Sequence, residues 1–391
     1  MTDVDKLAQE RTDRYLTALH CGKPDKVPIR FSCGSWAAKY QGYTLQEVFY
    51  DLNKAIDMVD KTVKDWDIDA FAGGGFTSSW PPMRDAMEIK FFHYPGMHLP
   101  ENITFQYVEE EYMKPEDYDE FTADPTRWVL TKYMPRVCEE FAEPGSYRAS
   151  LALIKGAAAM AMNGSIAGPT GARWRKQYGF SPAAMGMTKA PFDTLGDTLR
   201  AMKGLLLDIR RRPEKVLAAC EALVPHNIKY GLMGAGADKR FPCTAPLHRG
   251  AYPFLSMDNW KKFYWPTLKA VIEGLWAEGK QFVFFAEGDW TPYLELIAEL
   301  PEHSIVFIID STDAKKAKQI LGGKFCLLGG FPTTLLTYGT PAQVSDAVKR
   351  TIDDLAGDGG FVLDAGGVVM EDAKLENVNA FLEAGRKYGN Y

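Results

Sequence analysis

Three side chains capable of acid–base or metal chemistry stand directly after short β-forming runs: His248 after 241–247, Glu287 after Phe282-Val283-Phe284-Phe285-Ala286, and Asp310 after 304–309. An imidazole and two carboxylates brought together can move a proton or hold a divalent cation. Neighbouring parallel strands lie about 4.8 Å apart, so side chains ending three successive strands can meet on one small ligand. Glu287 follows an apolar run, and an apolar wall beside a carboxylate would raise its pKa and equip it for proton transfer. His248 and Asp310 also have structural readings, as a satisfied capping histidine and as the cap of a helix starting near Thr312. Around these lie the expected substrate contacts: Arg249 beside His248, Asp289 beyond Glu287, and Arg30 at the end of the first run, with Ser32 and Cys33 close by. Phe76, Trp80, Trp36 and Tyr40 could wall a flat substrate, or equally pack beneath neighbouring chain. Gly73-Gly74-Gly75 lacks the GxGxxG spacing of a dinucleotide cradle.

The elements that must position these residues alternate. Candidate strands are 27–33, 68–73, 165–168, 241–248, 281–287, 304–310, 325–329 and 360–364, each followed by a segment of helical period. Thr44 with Glu47 forms a capping box ahead of an apolar stripe through Leu45, Val48, Phe49, Leu52, Ile56 and Val59. Thr291-Pro292, Thr312-Asp313 and Thr340-Pro341 open later helices, proline fitting a first helical position whose N–H has no partner. Eight strand–helix units close most naturally into a (β/α)₈ TIM barrel, whose site lies at the carboxyl ends of the strands; an open doubly wound sheet is the rival. One domain, 1–391, is expected, with a large insertion between strands 2 and 3, approximately 76–160, forming a cap near the site.

Bulk properties remove whole classes of function. A net charge of −6 gives no cationic footprint for nucleic acid or anionic membrane, and the clusters Arg173, Arg175, Lys176 and Arg210 to Arg212 read as solvated helix faces. The amino-terminal stretch lacks a signal-peptide core and no uninterrupted run of about 18 apolar residues is seen, so a cytoplasmic protein without a membrane span is expected. Six cysteines without a CxxC pair suggest neither a disulfide framework nor a thiolate zinc motif.

The segments VPIRFSC, FFAEGDWTPYLELI, FIIDSTDAKKAKQILG, LLGGFPTTLLTYGTPAQV and GGFVLDAGG, with LENVNAFLEAGRKYG after them, resemble the uroporphyrinogen decarboxylase superfamily from Val27 to Tyr391. The resemblance implies a (β/α)₈ barrel and offers several branches. True decarboxylases carry an arginine-rich segment of the form MRQAGRY for the substrate's carboxylates, where this chain offers Arg30 alone. Thiol-directed methyltransferases carry HxC and a later Cys as zinc ligands; here those positions read Phe285, Ala286, Glu287 and Gly367. The segments PLHRGAYPFLS and FFAEGDW resemble instead the first methyltransferase of a corrinoid-dependent O-demethylase. That branch implies a small methoxylated, aromatic substrate and a Co(I) corrinoid (cobalamin) carried by a partner corrinoid protein. Glu287, His248 and Asp310 would then assist the leaving oxygen, either as acids or as ligands to a metal such as zinc. A homo-oligomer is left open.

Overall fold

The computed structural model describes residues 2–73 and 81–391; Phe76 and Trp80 lie outside the described residues. Among the described residues eight parallel strands organise the chain: β1 Arg30–Phe31, β2 Ala70–Phe71, β3 Ser181–Pro182, β4 Cys243–Leu247, β5 Phe282–Ala286, β6 Ile305–Ile309, β7 Cys326–Gly329 and β8 Phe361–Val362. β1, β2 and β3 form one sheet and β4 to β8 another, each in sequence order. Single parallel bridges, Ile29 with Leu363 and Met187 with Thr244, join the sheets at both seams. The order therefore runs β1 to β8 and back to β1, the ring of a TIM barrel.

Alternation along the strands sorts side chains into two cores. Phe282, Phe284, Ile305, Phe307 and Ile309 point outward into the layer beneath the helices. Val283, Val306, Ile308, Cys326, Leu328 and Val362 point inward, with Phe285 packed against them. Tyr15, Ala18 and Leu19 of the first helix, Asp3–Leu19, complete the inner cluster. That helix is tied down by Tyr15 Oη to the Ala183 carbonyl at 2.8 Å and by the Gln281 amide donating to the Leu19 carbonyl at 2.9 Å. With it closing the amino end, the carboxyl ends of the strands form the mouth.

The third strand corrects the sequence reading. Residues 165–168 lie inside the helix Tyr147–Tyr178, which runs through Pro169. Gly164, Gly168 and Pro169 look like breakers, yet Thr170 Oγ1 bonds the Ile166 carbonyl as helical geometry requires. The true strand, Ser181–Pro182, has no β-branched residue and owes its place to pairing: Ser181 N–H donates to the Asp69 carbonyl at 2.8 Å. The segment between β2 and β3 thus runs to Tyr178, beyond the expected limit of 160, and includes an antiparallel pair, Phe92–His93 with Gln106–Tyr107. By length and composition the helix Tyr147–Tyr178 is able to cross a membrane, and its apolar window is only 11% buried. Arg148, Lys155, Asn163 and Ser165 interrupt it, so it still holds no unbroken run of about 18 apolar residues.

The Thr44–Glu47 capping box is present, but the stripe after it is two helices, Leu45–Tyr50 and Leu52–Val63, with Asp51 capping the second through Asn53 and Lys54 N–H.

Candidate active site

Two positions beyond the last inward residue of β4, β5, β6 and β8 stand His248, Glu287, Asp310 and Asp364, and Arg30 faces the same interior from β1. Period-two alternation thus aims all five at the mouth. They do not form one cluster. His248 Nε2 lies 3.5 Å from Glu287 Oε1, an ion-pair distance, with both side chains over a third exposed. Asp310 is exposed and spends Oδ2 on the Gly288 N–H at 2.8 Å, so it shapes the loop after β5 and does not cap the following helix, where Asp313 accepts from Lys316 N–H. Among the described residues no group of three or more His, Cys, Asp or Glu side chains is arranged to hold a metal ion. The set Glu287, His248 and Asp310 therefore does not fit zinc.

What holds His248 comes from residues the sequence reading missed. The helical segment Pro191–Leu199, after β3, has Pro191 in its first turn and a π-helical second half. Asp193 and Asp197, four apart, share the face turned to the end of β4. Asp197 Oδ2 accepts from His248 Nδ1 at 2.7 Å and from Lys189 Nζ at 2.6 Å, while Oδ1 accepts from Arg249 Nε at 2.6 Å. Asp193 accepts from the backbone N–H of His248 at 3.2 Å and of Arg249 at 2.8 Å, and from Tyr264 Oη at 3.0 Å. The sequence signal for them is the spacing Asp193-x-x-x-Asp197 on the first helical segment after β3, Ser181–Pro182, which a strand at 165–168 does not reveal.

The electrostatics follow from this packing. Burial raises the Asp193 carboxyl, and the neighbouring Asp197 charge raises it further. Burial acts against ionised Asp197 too, but the hydrogen bond from His248 and the charge of Lys189 prevail and hold it well below the usual carboxylate range. Burial opposes charge on His248 as well, yet hydrogen bonds to Asp197 and Glu287 raise its pKa to about 10. His248 is therefore an imidazolium at neutral pH, with Nδ1 committed to Asp197 and Nε2 turned toward Glu287. Glu287 itself sits beside that imidazolium and 38% open, not against the apolar wall the sequence suggested.

The remaining expected contacts divide. Arg249 is structural, pairing with Asp197 and donating Nη2 to Glu109 of the insertion at 2.8 Å. Tyr107, also from the insertion, donates Oη to the Asp197 carbonyl. Asp289 caps the turn at Thr291 N–H, 2.8 Å away. Trp36 is buried in the outer core, and Tyr40 bonds the Ala373 carbonyl, so neither walls a site. Arg30 lines a cavity of about 480 Å³ at the mouth with Phe49, Phe105, Phe285 and Ile308. That cavity does not include His248, but it reaches Phe285 and Ile308, two positions below Glu287 and Asp310 on the same strands.

A parallel eight-stranded barrel with an acid–imidazole pair at the carboxyl end is the architecture of a barrel-type active site. Residues 172–388 match the family model described as uroporphyrinogen decarboxylase (URO-D), and the chain belongs to that family. A methyltransferase from Methanosarcina mazei has a similar fold, with TM-score 0.62 over 97% of this chain and 98% of that one, at 15% identity. No curated protein matches the chain by sequence.

Proposed function

We propose that the protein is a methyltransferase that removes the methyl group of a small methoxylated aromatic compound and passes it to a corrinoid carried by a partner protein. The observation that carries this reading is His248 at the mouth, its Nδ1 held by Asp197 at 2.7 Å and its Nε2 3.5 Å from Glu287, an arrangement that favours a protonated ring with one N–H turned to the open side. A departing phenolate is a strong base, so a proton held on His248 Nε2 is placed to pass to it as general acid catalysis requires. The structural likeness to a methyltransferase of this fold supports the same branch. The corrinoid, when docked, would supply the Co(I) nucleophile that accepts the methyl carbon.

The chain's own residues bind, orient and protonate. Phe49, Phe105 and Phe285 offer apolar faces to a ring. Asp197 holds His248 by Nδ1 and balances its charge; Glu287 helps keep the proton on Nε2 until an oxygen with developing charge competes for it. As the C–O bond of the ether breaks, its electron pair stays on oxygen and takes the His248 proton, leaving a neutral phenol and an imidazole that regains a proton from solvent. General acid help of this kind is worth roughly 10²–10⁴-fold. Decarboxylation of a polycarboxylate is less well served: among the described residues lining the cavity, Arg30 is the one Arg or Lys, and it is paired with Asp364 at 2.9 Å.

The test is to incubate the protein with a reduced corrinoid protein and 2-methoxyphenol and follow release of the demethylated diol by chromatography. The reading requires release by the wild type and a loss of at least 100-fold in His248→Asn. No release by wild type, with carbon dioxide formed from uroporphyrinogen instead, would overturn it.

A further inference from the structure

The insertion meets the barrel along a seam in which residues 107–113 lie against 197–202, the stretch that carries the carboxylate partner of His248. Met113 N–H donates to the Leu199 carbonyl at 2.7 Å, Arg200 Nη1 donates to Glu111 at 3.2 Å, and Tyr107 holds the Asp197 main chain through its carbonyl. Glu109 does two things in this seam. Its Oε1 accepts the Met202 N–H at 2.7 Å, at the start of the helix Ala201–Arg211. That helix is entered through Ala201 at φ +54, a left-handed conformation that an alanine keeps only where its neighbours over-determine it. Its Oε2 accepts from Arg249 Nη2 at 2.8 Å. Arg249 Nε in turn donates to Asp197 Oδ1 at 2.6 Å, and Asp197 Oδ2 accepts from His248 Nδ1 at 2.7 Å. A chain of charge-assisted hydrogen bonds therefore runs from the insertion to the imidazole ring: Glu109, Arg249, Asp197, His248.

We infer that Glu109 is a positioning residue for His248: it shares the Arg249 guanidinium with Asp197, so the proton donor is fully assembled only while the insertion is seated on the end of β4. The chain of bonds stands on geometry; its bearing on catalysis rests on the reading of His248 as the acid above. Asp197 faces three cations, His248, Lys189 and Arg249. With Glu109 in place Arg249 divides its charge between two carboxylates; without it that charge falls on Asp197 alone and competes there with the imidazolium. The other groups around His248 belong to the barrel: Glu287 faces Nε2, and Asp193 accepts the His248 N–H and the Tyr264 hydroxyl. Among these contacts the route from the insertion to the ring is the one through Arg249. The Glu109 side chain is 36% exposed, so its link is a modest one that solvent screens. Coupling of this kind is reciprocal: raising the insertion weakens the acid, and a charged His248 favours the seated insertion.

Nitrogen-edited NMR titration of the His248 ring in the full chain reads this link without substrate or corrinoid protein. Glu109→Gln should lower the midpoint by about 0.2–0.7 of a pH unit, the size that a partly exposed ion pair supplies. Arg249→Gln keeps a donor for Asp197 but removes the competing cation, and should move the midpoint the other way. In the Arg249→Gln background the Glu109 substitution should then have no further effect, and Glu109→Asp in the wild-type background should keep part of the wild-type midpoint. Shifts of opposite sign and a vanishing second effect are outcomes that mere loosening of the fold does not produce. An unmoved midpoint in folded Glu109→Gln, or the same shift with and without Arg249, overturns the inference. Should Glu109→Gln fail to fold by circular dichroism, Arg249→Gln carries the test, and a midpoint that does not rise there overturns it. Shifted midpoints in a protein that releases no diol from 2-methoxyphenol contradict methyl transfer and leave the link standing. Diol release with unmoved midpoints does the reverse.

Discussion

Replacing Asp197 by Asn keeps the shape of the side chain and removes the charge that three cationic donors converge on. His248, Lys189 and Arg249 all reach it within 2.6–2.7 Å. With that charge gone, the carboxylate facing the His248 ring is Glu287, 3.5 Å away, while the burial that opposes its charge is unchanged. Its pKa should fall from about 10 toward the ordinary 6.5. Removing one partner of a buried pair costs about 3–5 kcal/mol, and because the His248 side chain is 36% exposed, solvent screening brings its own share down to about 1–2 kcal/mol. Folding raises the pKa of His248, so its contribution to stability is complete below pH 6.5 and is lost as pH climbs through about 10. Urea unfolding at pH 6 and pH 10.5 should therefore show wild type losing stability across that interval from this group, and Asp197→Asn losing measurably less. The alkaline limb of the pH–rate profile should move from near 10 to near 7 in the variant. An alkaline limb that stays in place, with the fold intact, would show that Asp197 does not hold the proton on His248.

Glu287→Gln should leave the fold unaffected and lower the alkaline limb by less than Asp197→Asn, since Glu287 is the more distant partner; a larger drop in a pH–rate profile would reverse their roles. Gly250→Ala should sharply lower the melting temperature seen by circular dichroism, because a methyl group there runs into the rings of Trp290 and Tyr264 and displaces the hydroxyl that Asp193 accepts from. Ile308→Ala, in the inner core, should cost about 2–5 kcal/mol in urea unfolding and open the cavity floor, so a change under about 1 kcal/mol would mean the floor collapses around it.

Much of the barrel was legible because its later strands are long apolar runs between clear helix signals. Phe282–Ala286 and Ile305–Ile309 are buried nearly throughout, and their ends placed Glu287 and Asp310 correctly at the mouth. β3 was illegible for a physical reason: two residues, one of them proline, hold their place through main-chain pairing with β2, and pairing leaves no propensity signal. The loss of β3 hid Asp193 and Asp197, since a carboxylate pair on a helix face looks like solvated surface until a strand end is known to face it. The substrate wall failed differently. Trp36 offers an aromatic ring, but it sits in a short helix whose buried face packs into the outer core, whereas Phe49, Phe105 and Phe285 come from separate parts of the chain brought together only by the fold.

The central claim is that His248 hands its proton to the departing oxygen. Rates of demethylation across a series of methoxyarenes whose phenols differ in acidity test it most directly. The wild type should depend only weakly on the acidity of the phenol, because the leaving oxygen departs protonated, and His248→Asn should depend on it steeply. Equal slopes in the two proteins would contradict the account.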